Sequence, residues 1–155
     1  MNVRVVCVGK LKEAYWRDAL AEYQKRLSRY CRLEVVEVAE SRNTSRAPKD
    51  VAAAVEEEGK RILPHLMGTV VVLDLTGVEV SSEQLALVVR TAQDAGQSLS
   101  FVIGGSDGLS DEVRRRADRL VRFGRITLPH QLCRVLLAEQ IYRAFCINNG
   151  VLYHK

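Results

Sequence analysis

The chain reads as an α/β protein with a parallel-type sheet and helices on both faces. Three observations predict that class. Strand-like and helical patterns alternate from one end to the other, which is the signature of helices crossing over between parallel strands. Two runs, TVVVLDL (69–75) and SLSFVI (98–103), are almost wholly apolar or β-branched, as strands covered on both faces are. The 155 residues, 47% hydrophobic, suffice for one core, so a single domain over 1–155 is expected.

The elements follow in order. NVRVVCV (2–8) predicts a first strand. Residues 13–29 place Ala14, Leu20, Tyr23 and Leu27 near helical spacing, and 31–39 alternate as a second strand. SRNTSRAP (41–48) is polar and turn-rich, a mobile loop by composition. A helix over 49–63 is ended by Pro64. The 69–75 strand passes through TGVEV, read as a connector, into a helix over 82–95. Ser81 and Gln84 have capping-box spacing for its start, and Gly96 closes it. After the 98–103 strand come a glycine-rich turn and a short helix over 110–118. LVRFGRIT (120–127) is strand-like but broken by Gly124. A long helix over 131–148 ends at Gly150.

Composition narrows the partners. No apolar run approaches the roughly 20 residues of a membrane helix. The start reads as the first strand, not a signal peptide, so a cytoplasmic protein is expected. Cys7, Cys31, Cys133 and Cys146 sit among apolar residues without CxxC spacing, which predicts buried free thiols. His65, His130 and His154 are scattered, so no metal is expected. The net charge of +4 is uneven: residues 1–109 carry 14 Lys+Arg against 15 Asp+Glu, residues 110–155 carry 9 against 4. The C-terminal third is where a polyanion is expected, although a solvated basic face fits the charge equally well.

FVIGGSDGLS (101–110) is the most informative stretch. A buried strand breaks into bare backbone, and glycine lets another molecule approach the main chain. Ligands of such sheets bind beyond the carboxyl ends of the strands. That singles out LDLTG (73–77), IGGSDG (103–108) and FGRITLPH (123–130). The dinucleotide fingerprint G-x-G-x-x-G is missing after the first strand, and no P-loop occurs. Asp107 also disfavours a phosphate, so a nucleoside ligand with a positive charge fits better.

IGGSDGLS, then TLPHQLCRVLLAEQIYRAF, then the terminal YHK resemble the small SPOUT-class methyltransferases, and among them the family that methylates N3 of a pseudouridine in 23S ribosomal RNA. The VxCVGKLK start and LDLTG extend the likeness over the full length. Cys133 stands where an aliphatic residue is expected, and Leu152 where a proline or small residue is common. The resemblance implies a C-terminal trefoil knot, which pattern-based topology would exclude. It implies S-adenosylmethionine as cofactor, held by Leu73, Gly104, Gly105, Phe123, Gly124, Arg125, Ile126, Thr127 and Leu128. It also implies a homodimer acting on 23S rRNA within the assembled 70S ribosome, with the tail completing the substrate pocket.

Individual residues keep two readings. Asp74 is a turn cap or a catalyst; Asp107 caps the 110–118 helix or faces a sulfonium; Ser106 and Ser110 are turn and N-cap residues. His130 could take the N3 proton or simply hydrogen-bond at a helix start. Arg134 could reach a phosphate or the target base, or form a salt bridge across an interface. Glu139 and Arg143, four apart, can pair on the helix. Tyr153, His154 and Lys155 offer a stacking face, a second candidate base and a charge, or a frayed end. Arg114, Arg115, Arg116, Arg119, Arg122 and Arg125 would hold phosphates. Two rival functions are a ribosome-assembly factor without catalysis and a dehydrogenase-like nucleotide enzyme.

Overall fold

A computed structural model describes residues 1–42 and 44–155. Asn43, within the 41–48 loop, lies outside the described residues. Five strands form one parallel sheet: β1 (Asn2–Val8), β2 (Arg32–Val38), β3 (Thr69–Glu79), β4 (Leu99–Ile103) and β5 (Arg119–Arg122), in the order β2-β1-β4-β3-β5. Helices α1 (Ala14–Leu27), α2 (Pro48–Ile62), α3 (Ser82–Asp94), α4 (Asp111–Arg116) and α5 (His130–Asn148) connect and follow them.

Strand alternation sorts the two faces. Val3, Val5 and Cys7 of β1, Val71 of β3, and Leu99, Phe101 and Ile103 of β4 pack with Leu27, Leu85, Val89, Leu137, Ile141 and Phe145 of α1, α3 and α5. Val6 and Val8, Val70 and Val72, and Val102 point the other way, onto Ile62 of α2 and Val113 of α4. Phe101 registers with Val5 on one side and Val71 on the other. All three are at most 2% exposed, and successive residues of one strand face opposite layers. Helices therefore cover both faces, as the unbroken apolar runs predict.

Several ends behave as predicted. The Ser81 hydroxyl accepts from Gln84 N at 3.1 Å while Ser81 N donates to the Gln84 side chain at 2.8 Å. Gly96 closes α3 at φ +65°. Ser110 caps α4 by accepting from Val113 N. The four cysteines are free, and Cys133 alone is only half buried.

Two boundaries differ from the prediction. TGVEV is not a bare connector: β3 resumes after an irregularity between Leu73 and Val78, pairing Val78 with Val121 and Glu79 with Arg122. β5 is shorter than 120–127. It stops at Arg122, and Gly124 at φ +126° turns the chain away from the extended line the residue pattern suggests. What remains, 123–129, is a loop over the carboxyl end of the sheet. The 41–48 loop is also tethered. Ser41 donates to Glu57 and Glu58, and Arg46 pairs with Asp107 at 2.7 Å.

Candidate active site

Three segments converge at the carboxyl ends of β3, β4 and β5: 73–76, 103–109 and 121–130. They enclose a cavity of about 310 Å3. Its walls include Leu73, Ile103, Leu109, Val121, Phe123 and Leu128, with Asp74, Thr76, Arg114 and His130 as polar members. Glycines build it for reasons of space. A Cβ on Gly104 would lie 2.7 Å from Leu109 Cγ and 3.0 Å from the Gly108 carbonyl, and Gly108 itself sits at φ +86°. Gly77, just behind the wall, admits no Cβ at all, because Val121 N would be 2.5 Å away.

Asp74 is a turn residue. Its Oδ1 accepts from Thr76 N at 2.8 Å and the Thr76 hydroxyl at 2.6 Å, and its Oδ2 accepts from Arg114 Nε at 2.8 Å. Burial pushes its carboxyl up, but the Thr76 and Arg114 hydrogen bonds outweigh burial and hold it below the usual range. Asp107 neither caps α4 nor faces the cavity: Arg46 takes it outward, and that hydrogen bond lowers its carboxyl. The His130 imidazole lines the cavity and has no hydrogen-bond partner among the described residues. Of the nine residues expected at a cofactor, eight line the cavity, and Arg125 does not. Arg114 was assigned to a phosphate-holding field, yet it is Asp74's partner. Forty residues separate the two, and no local pattern links them.

A family model described as "Predicted SPOUT methyltransferase" matches residues 1–154. The chain belongs to the SPOUT methyltransferase family. Curated relatives spanning all of this chain and all of their own length are named ribosomal RNA large subunit methyltransferase H. That from Bifidobacterium animalis subsp. lactis is 50% identical, and those from Lactobacillus acidophilus and Clostridium novyi are 48% identical. A probable methylase family protein from Haemophilus influenzae shares the fold, with a TM-score of 0.58 at 14% identity over 99% of this chain and 70% of that one.

Arg122, singled out for a phosphate, also lines the cavity of this SPOUT chain, whereas Arg134 and the tail lie away from it. Arg134 is 3% exposed and pairs within its own chain, not across an interface. Its Nη1 reaches Glu37 Oε2 at 2.5 Å and its Nη2 donates to the Gly9 carbonyl. It is therefore not available to a phosphate. The tail is docked, not frayed. Tyr153 donates to Glu139 at 3.0 Å under the Arg143 guanidinium, and burial, then Glu139, push its phenol up to about 12. Arg143 also pairs with Glu139 at 2.6 Å. His154 Nδ1 lies 3.2 Å from Arg143 Nη1, and its Nε2 lies 2.8 Å from Glu83. A guanidinium can only donate and a carboxylate accepts. In that arrangement the Nε2–H of His154 donates to Glu83 and its Nδ1 accepts from Arg143, so both ring nitrogens are engaged.

Among the described residues there is no cluster of His, Cys, Asp or Glu fit for a metal, and no helix long and apolar enough to cross a membrane.

Proposed function

We propose that the chain transfers a methyl group from S-adenosylmethionine to N3 of a pseudouridine in 23S ribosomal RNA. In this reading it is a single-domain, knotted, cytoplasmic protein that works as a homodimer on the assembled 70S ribosome. The observation that carries the reading is a cavity walled by glycine-bearing loops with an unpartnered imidazole, His130, in its lining. The name of the full-length relatives supports a large-subunit rRNA target.

The residues suit the cofactor. The cavity volume is at the lower end of small-molecule sites, and Gly104 and Gly105 present main chain where an adenine edge could be read. When bound, S-adenosylmethionine supplies an activated methyl on a sulfonium, so the protein's task is alignment. Leu73, Leu109 and Leu128 exclude water from the cavity. Asp74, balanced by Arg114, holds the 73–76 turn. His130 takes the N3 proton as the N–CH3 bond forms, a contribution of about 10²–10⁴-fold. His154, whose ring nitrogens are engaged with Arg143 and Glu83, positions the tail in this reading, and Tyr153 is held neutral as a stacking face. No residue of the tail lines the cavity of its own chain, so a tail that completes a substrate pocket needs a second copy.

Transfer of labelled methyl to 70S ribosomes and to free rRNA, both from a strain lacking this gene, tests the reading. Label on ribosomes and not on free RNA is expected. Cofactor binding without label on either would refute the substrate; loss of cofactor binding as well would leave a non-catalytic assembly factor.

A further inference from the structure

We propose that the β1–α1 loop, Gly9–Lys12, together with Tyr15, is a second contact surface for the substrate RNA beside the cavity. Lys10 and Lys12 would hold backbone phosphates, and Tyr15 would stack on an unpaired base. This rests on the RNA substrate of the proposed function.

The loop's backbone is fixed from three elements. Gly9 N donates to Val38 O at 2.9 Å, and the Gly9 carbonyl accepts from Arg134 of α5. Leu11 N donates to Glu37 of β2 at 3.0 Å, and Arg17 of α1 donates to the Leu11 and Lys12 carbonyls. Leu11 itself is buried against Leu20 and Ala138. Every tether holds main chain or Leu11. Lys10 and Lys12 are exposed, and their side chains have no hydrogen bond or ion pair among the described residues. Glu13 and Asp18, the acids nearby in sequence, pair with neither.

Tyr15 is 64% exposed, its ring 5.2 Å from that of Trp16. Cations with an accessible aromatic ring are the means by which single-stranded RNA is held, and a rigid loop lowers the ordering cost of binding. An acidic protein surface would use the lysines but gains nothing specific from the ring.

The loop adjoins the cavity in two ways. β1 is the neighbour of β4, and a Cβ on Gly105 would lie 3.2 Å from Val8 Cγ1, so the end of β1 touches the glycine loop. On α5, His130 in the cavity and Arg134 on the loop are four residues apart and therefore on one face.

The test uses the full chain and 70S ribosomes lacking the methyl group. Binding is measured between 50 and 200 mM salt for wild type, Lys10→Ala/Lys12→Ala, Lys10→Glu/Lys12→Glu, Lys10→Arg/Lys12→Arg and Tyr15→Ala. Losing two phosphate contacts should weaken binding by about 10- to 40-fold near 0.1 M salt. It should also flatten the log–log salt slope by about 1.5. Tyr15→Ala should weaken binding by about 5- to 150-fold. The loss falls on KM more than kcat, S-adenosylmethionine affinity is retained, and the arginine pair restores binding. Wild-type affinity and slope in the glutamate pair, while wild type methylates, would overturn this inference alone. Wild-type protein that neither binds nor methylates ribosomes would overturn the reading beneath it as well.

Discussion

Replacing Arg134 by Met should destabilise the fold far beyond the loss of one surface charge. Arg134 is 3% exposed and Glu37 34%, so the pair is dry on one side and wetted on the other. Breaking a fully buried pair costs about 3–5 kcal/mol; the water reaching Glu37 brings the expectation to about 2–4 kcal/mol. For a domain of this size each kcal/mol moves Tm by about 2–4 °C, so a fall of about 4–16 °C is expected. Glu37→Gln removes the partner charge but keeps an acceptor for Leu11 N, and leaves Arg134 unpaired at similar cost. The double variant carries neither charge, and also lacks the Arg134 Nε, which has no partner now. Its loss should therefore fall short of the two single losses added together by about 2 kcal/mol. Urea unfolding can be followed through Trp16, the single tryptophan, which packs against the Leu11 cluster. Additive losses in the cycle would refute the argument from a desolvated pair.

Further expectations follow from the cavity wall. Gly77→Ala should cost about 3 kcal/mol or abolish soluble protein, because the clash is with backbone of Leu120 and Val121; a thermal melt within 2 °C of wild type would contradict this. Asp74 has a depressed folded pKa, so its stabilisation is present above the ordinary aspartate range and is lost as pH falls through the folded value. Asp74→Asn should thus cost about 1–2 kcal/mol at pH 7 and less at pH 3, read by urea titration at both; an equal cost at both would count against the Arg114 pair. Burial pushes the Cys133 thiol up to about 11, so alkylation at pH 8 should run roughly two orders of magnitude slower than for a free thiol. S-adenosylhomocysteine should slow it further. Peptide mapping that finds Cys133 labelled at the free-thiol rate would refute that environment.

Much of the fold was legible because burial writes itself into apolar runs. β1, β3 and β4 are covered on both faces, and each reads as a strand without help from its neighbours. The Ser81–Gln84 box and Gly96 mark α3 locally. What was not legible depends on residues far apart. The resumption of β3 at Val78 is set by pairing with Val121, and the end of β5 by a loop that turns over the sheet. The glycine loop pointed to a site through its backbone alone. The Asp74–Arg114 and Arg134–Glu37 pairs could not be found this way, since their members are 40 and 97 residues apart. Arg134 and Arg114 read alike in sequence, yet one is core and the other is wall.

Helix α5 explains why an almost wholly apolar sequence carries so few charges, and why each has one task. Its first turn brings His130 into the cavity. One turn on, Arg134 fastens the β1–α1 loop through Gly9 and Glu37. Further along, Glu139 collects Arg143 and Tyr153, and Arg143 in turn sets the tautomer of His154. A rigid helix packed into the core along one face, through Arg134, Leu137, Ala138, Ile141 and Phe145, transmits position without slack, so cavity, loop and tail have a fixed spacing before any ligand arrives. In the proposed reaction that leaves little for the chemistry to organise. The unpartnered imidazole in the cavity lining, His130, is the proposed base, while His154 serves by holding the tail in place.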